Sequence, residues 1–145
     1  MNYIYELQHD TDGIEHMQYA STHNPFGLKI THGLIGAAEW WSNIESGDLA
    51  LRRVEGIVSA FWPGQGRSGP AEFQIQISMG DTSNWPCEIE PVEAKRQFRI
   101  GRHAAVEYVI QELKVALNGK TEVPVPLTIW LDEAQPFAPA EGQPR

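Results

Sequence analysis

Residues 72–79 constrain the fold more than any other stretch of this chain. Phe73, Ile75, Ile77 and Met79 alternate with Glu72, Gln74, Gln76 and Ser78. A period of two puts the first set on one face of an extended chain and the second set on the other. The sequence therefore contains a half-buried β-strand whose wet face is uncharged apart from Glu72. Its backbone donors and acceptors need neighbouring strands, and the surrounding sequence supplies them.

Leu49 to Trp62 is rich in β-branched and aromatic residues. Gly56 inside it predicts a bulge or a bend. Val54, Val58, Ala60 and Trp62 fall on one face of this strand, with Ile57 and Phe61 on the other. Trp62 and Trp130 are expected in the core. Pro63 to Pro70 reads as a loop and Gly80 to Asn84 as a turn. Trp85 to Glu90 reads as a short strand. Pro91 to Phe98 reads as a short helix with proline at its tolerated first position. Residues 104–117 fit two patterns. Val106, Val109, Ile110, Leu113 and Leu117 make a helical face capped by Asn118-Gly119, whereas Val106, Tyr108 and Ile110 make a strand. The preceding Phe98-Arg99-Ile100-Gly101 tips the reading to a strand over 104–113. Val125 to Leu131 is a final strand, whose start Pro124 and Pro126 place at an edge.

Upstream, Tyr3, Tyr5 and Leu7 alternate with Glu6 and Gln8, and Asp12-Gly13 follows. This predicts an N-terminal β-hairpin over 2–9 and 14–20. Ile35, Ala38, Trp41 and Ile44 are spaced by three and predict a helix over 34–46, stopped by Gly47. The fold class expected is mainly β with a minor α component. From residue 49 the order of elements resembles a small OB-like five-stranded barrel over about 49–132, with a helix between its third and fourth strands. The domain division expected is one globular domain over 1–133 and a Pro-rich irregular tail over 134–145.

A chain of 145 residues buries enough surface to fold without a disulfide or a metal. Its one cysteine, Cys87, excludes an intrachain disulfide framework. The first residues carry neither a basic nor an apolar signal region, and no apolar run approaches the length of a membrane span. A cytoplasmic location is expected. The net charge of −8, from 19 acidic and 11 basic residues, repels phosphate backbones and favours solubility or a basic partner.

Gly64-Gln65-Gly66-Arg67-Ser68-Gly69 matches G-x-G-x-x-G, but Pro70 and a strand follow instead of the helix that would hold a pyrophosphate. The dinucleotide reading fails, leaving Arg67 over a loop that could cradle an anion. His9, His16, His23 and His32 lie early, beside Asp10 and Asp12. His9, Asp12 and His16 are the candidates for a metal, yet no H-x-x-x-H or H-E-x-x-H spacing supports them, and no metal is expected. Lys95, Arg96, Arg99, Arg102 and His103 form a basic cluster in an acidic chain. It is either a receptor for a phosphate, a carboxylate or an acidic partner, or a solvated face paired with Glu88, Glu90 and Glu93. Trp40 and Trp41 are adjacent, so one packs inward and the other is a candidate binding anchor. Cys87 has no histidine near it in sequence, and Glu88 beside it disfavours a thiolate.

These residues name no catalytic group and no cofactor, and they point away from an enzyme. The function expected is a non-catalytic protein-binding or accessory module, for which an inhibitor or immunity-type protein against a basic toxin is one form. Its candidate contact residues are Trp40, Trp41, Arg67, Arg96, Arg99 and Arg102. The competing readings are an OB-like barrel binding a small ligand or oligonucleotide, and a metal-dependent enzyme using the early histidines. Nucleic acid is disfavoured by charge and a membrane by hydropathy. Neither the partner nor the oligomeric state is legible.

Overall fold

A computed structural model describes residues 2–64 and 71–132. It contains six strands: β1 (Asn2–Glu6), β2 (Arg52–Trp62), β3 (Glu72–Ser78), β4 (Asp81–Pro86), β5 (His103–Leu117) and β6 (Lys120–Leu131). The helices are α1 (Thr11–His23), α2 (Ala38–Ser46) and α3 (Pro91–Gln97), with a 3-10 turn at Leu7–His9. The strands form one sheet in the order β1-β6-β5-β2-β3-β4, and β2–β3 and β3–β4 are antiparallel. The mainly-β expectation holds, including the strand over 104–113, the short helix at 91–97 and the final strand, which is flanked by β1 and β5 rather than being an edge strand. The sheet is not closed into the five-stranded barrel expected over 49–132. The outer edge of β6 pairs with β1, a strand from outside that span, and this takes the hydrogen-bonding edge that closure would need.

The chain gathers into two compact units. Of the described residues, one comprises 2–3, 55–64, 71–104 and 130–132, the other 4–54 and 105–129. β1, β2, β5 and β6 contribute residues to both.

In the first unit, the alternation expected over 72–79 holds for its first half only: Ile77 is 46% exposed, and Met79 lies beyond the strand in the turn, 99% exposed. Phe73 and Ile75 are buried, and they stand opposite Phe61 and Val58 of β2. Phe98, at the end of α3, stacks on Phe73 with ring centroids 4.3 Å apart. The register of β2 against β3 shifts between Val58 and Ala60, so Ser59 is the extra residue of a bulge. Gly56 serves a different purpose: a Cβ there would lie 2.1 Å from the Gln76 carbonyl oxygen, so its absence permits the close approach of β3. β4 begins earlier than expected, at Asp81, because the turn from β3 is confined to Met79-Gly80.

In the second unit, the expected hairpin is half right. Residues 2–6 are a strand, but 14–20 belong to α1. Asp10 decides this. Its carboxylate accepts from the Gly13 backbone N–H at 3.0 Å, which caps a helix start, and from the Tyr5 hydroxyl at 2.8 Å. Ile14, Met17, Gln18 and Ser21 then form the inward face, at spacings of three and four. α2 starts at Ala38 rather than Leu34, and Gly47 ends it with φ +90, as expected of a glycine stop. Asn118-Gly119 is not a helix cap. Both residues have positive φ and form the two-residue turn that joins β5 to β6. An extended segment runs beside β5, with Lys29 N–H donating to Glu112 at 2.8 Å and Lys114 N–H donating to Gly27 at 3.1 Å.

Candidate functional site

The basic cluster is brought together in the first unit. α3 is a short helix whose last turn carries Lys95 and Arg96. Buried Phe98 ends it against Phe73, and the following turn reaches β5 through two backbone bonds to β2. Gly101 N–H donates to Val58 at 2.9 Å, and Val58 N–H donates to Arg102 at 2.8 Å. The helix and the turn together enclose an open concavity of about 760 Å³, lined by Val92, Lys95, Arg96, Gln97, Arg99 and Arg102. Three of the sequence candidates, Arg96, Arg99 and Arg102, thus share one site.

Arg102 is its fixed member, with 9% of its surface exposed. Its Nε donates to Asp132 Oδ1 at 3.3 Å, and Nη1 donates to the Gln97 carbonyl at 3.0 Å and to Gln97 Oε1 at 3.1 Å. The Gln97 carbonyl lies in the last turn of α3, so the guanidinium also complements the helix C-terminus. Nη2 is buried and has no hydrogen-bond partner among the described residues. Arg96 is exposed and pairs with Glu93 at 3.1 Å. Lys95 and Arg99 are exposed and have no ion-pair partner among the described residues. Pairing with upstream carboxylates therefore accounts for Arg96 but not for Lys95 or Arg99. His103 leaves the cluster: its Nε2 lies 3.3 Å from Glu55, and its ring meets Trp130 edge-on.

The tryptophan candidates fare differently. Trp40 is fully buried, so it is no surface anchor. Its Nε1 donates to Gln111 Oε1 at 3.3 Å. Trp41 is half-buried and donates to the Gly36 carbonyl at 3.0 Å. The exposed tryptophan is Trp62, expected in the core and found 44% exposed. Ile57, Ala60 and Trp62 of β2 stand opposite Gln76, Gln74 and Glu72 of β3, so all six share the outer face of the sheet. Ile57 is also 44% exposed. Ser59, Gln74 and Asn84 run a hydrogen-bonded chain across β2, β3 and β4, at 3.0 and 3.1 Å. This face has an apolar pair amid neutral amides, and Glu72 is its only charge among these positions.

The early histidines do not gather. His9 is exposed beside Glu6 and His16 is exposed on α1. Among the described residues no three His, Cys, Asp or Glu side chains are grouped to hold a metal. Arg67 and residues 65–69 of the glycine motif lie outside the described residues, as does the tail over 134–145.

Cys87 is buried, and its thiol is pushed up from the ordinary 9.0 to about 12, first by burial and then by Glu72 and Glu88. Burial is the dominant cause, and sequence adjacency shows only the Glu88 share. The folded protein therefore keeps this proton where the unfolded chain loses it. The stabilising difference is complete below pH 9 and is lost as pH rises from 9 towards 12, at roughly a kcal/mol per pH unit. Two measurements check this. Urea midpoints should fall between pH 9 and 11 and recover in a Cys87→Ala background, and iodoacetamide at pH 8 should label the native protein only after unfolding.

No curated protein matches the chain. Its sequence does match the family described as Immunity protein RhsI2, over residues 1–125. That span takes in α1, α2, the concavity around Arg102 and the whole outer face of β2–β4. The non-catalytic, immunity-type expectation is accordingly supported, and the chain belongs to the RhsI2 immunity protein family.

Proposed function

We propose that this chain neutralises a toxin protein by forming a stoichiometric complex with it, and that the toxin presents a basic surface. The family match over residues 1–125 carries the reading. The charge of −8 supports the basic partner, since complementary fields speed diffusional encounter and disfavour wrong partners. The outer face of β2–β4 has the composition of an interface centre: an exposed Trp62 and Ile57 among side chains that are neutral apart from Glu72.

Two experiments test it. Co-expression with the toxin should restore growth only when this chain is at least equimolar, and calorimetry should return a one-to-one complex. Trp62→Ser should raise the Kd by about tenfold or more, mainly through faster dissociation, while the circular dichroism spectrum stays unchanged. Protection by a small fraction of an equivalent would instead mean turnover and would remove the stoichiometric mechanism.

A further inference from the structure

We propose that the concavity formed by α3 and the turn into β5 is a receptor for carboxylate groups on an acidic segment of the protein partner. The proposal rests on the immunity reading and names the chemistry of one contact within it. Four cations, Lys95, Arg96, Arg99 and Arg102, line a single concavity in a chain whose overall charge is −8. Like charges gathered in one concavity repel one another, and salt bridges offset this for Arg96 through Glu93 and for Arg102 through Asp132. Lys95 and Arg99 have no such offset among the described residues.

The buried arginine makes this more than a surface patch. A guanidinium is always charged and carries its donors in a rigid fork. Three bonds occupy Nε and Nη1 of Arg102, and Nη2 has no partner among the described residues. Buried donors are nearly always satisfied, because an unpaired one forfeits its hydration for nothing. Arg102 lines the concavity, so a carboxylate seated against this fixed guanidinium is an acceptor of the kind Nη2 lacks. Its second contacts come from Arg99 and Lys95, and from Arg96 once it exchanges Glu93 for the incoming group. Val92, 78% exposed on the lining, adds an apolar contact for the carbon chain that bears the carboxylate. A volume of about 760 Å³ accommodates a few side chains. A nucleic-acid backbone extends well beyond it, into the field of an acidic protein that includes Glu88, Glu90 and Glu93 just upstream. A short acidic peptide segment is therefore the occupant the charges favour.

The full chain is titrated by calorimetry, at low salt, with a blocked hexaglutamate peptide and separately with a single-stranded oligonucleotide. The peptide should bind, with affinity falling as salt rises. Lys95→Gln with Arg99→Gln should weaken it by about tenfold or more, and both positions are exposed enough to spare the fold. Arg102→Lys, which keeps the charge and removes the fork, should weaken it too. In arginine side-chain NMR spectra the peptide should shift the Arg102 guanidinium signals. Absence of peptide binding, binding indifferent to these substitutions, or tighter binding of the oligonucleotide would each overturn the proposal. The same double variant is then compared with wild type for protection against the toxin. Equal protection by both rejects the carboxylate contact and leaves the immunity reading standing. Failure of the wild type to protect rejects the immunity reading, whatever the peptide does.

Discussion

Trp40→Ala is expected to lower the stability of the protein by about 3–5 kcal/mol, the range for truncating a large buried aromatic side chain. Trp40 is the largest fully buried side chain, and it meets the half-buried Trp41 edge-on, with ring centroids 4.9 Å apart. It also belongs to a polar hub. Gln111 is fully buried on β5. It accepts from Trp40 Nε1, and its own amide donates to the Lys29 carbonyl at 2.7 Å and to Thr31 Oγ1 at 3.0 Å. One side chain thus ties α2 and the segment 29–31 to β5. Removing the indole leaves a cavity and strands the Gln111 oxygen at once. Trp40→Phe separates the two effects, since it keeps most of the volume and should cost about 1–2 kcal/mol. Gln111→Leu should be worse than Trp40→Phe, because it unpairs three groups rather than one. The two substitutions combined should cost less than their sum, as they break the same bond. Urea denaturation followed by circular dichroism reads all four proteins. A Trp40→Ala midpoint equal to wild type would show that the hub bears no share of the stability.

The hub was not legible in the sequence, and the reason is physical. A glutamine in a strand with alternating polarity reads as wet, because period alone cannot show that a second segment covers that face. Gln111 is buried only because residues 27–31 run beside β5, a pairing some eighty residues apart in sequence. The basic concavity was legible for the opposite reason. Its residues lie within a short helix, a turn and the start of a strand, so local geometry suffices to gather them. What needed coordinates was the missing partner of Arg102 Nη2. Trp62 shows a third kind of limit. Counting by twos along β2 puts Val58, Ala60 and Trp62 on one face, and it would be right for an uninterrupted strand. The bulge at Ser59 adds one residue, which inverts every later assignment. Val58 and Phe61 therefore face the core while Ile57, Ala60 and Trp62 face out. The start of α1 shows a similar limit: Tyr3 and Tyr5 lie in a strand, but the Asp10 cap ends the extended pattern where Asp12-Gly13 predicts a turn back.

Gly56→Ala should be the second most damaging of these changes, at about 3 kcal/mol, although it adds a single methyl group to a strand. The new Cβ would sit 2.1 Å from the Gln76 carbonyl oxygen and 2.8 Å from Ile75 Cγ2. A crowded side chain can rotate away, but a carbonyl within a ladder cannot move without its strand. β2 and β3 must separate locally, next to the Ile57–Gln76 pairing and two residues before the core contact of Val58 with Ile75. Gly47→Ala provides the contrast. A Cβ there meets nothing within 4 Å, yet φ is +90, so its cost is backbone strain of about 1–2 kcal/mol with no neighbour displaced. Amide hydrogen exchange distinguishes the two. Gly56→Ala should accelerate exchange along β2 and β3 specifically, and Gly47→Ala should leave those amides close to wild type apart from the global loss. The outer face that carries Ile57 and Trp62 is built on that same pairing, so Gly56→Ala should also weaken toxin binding while Gly47→Ala should not. Equal effects of the two glycines on binding would mean that the β2–β3 face is not where the toxin docks.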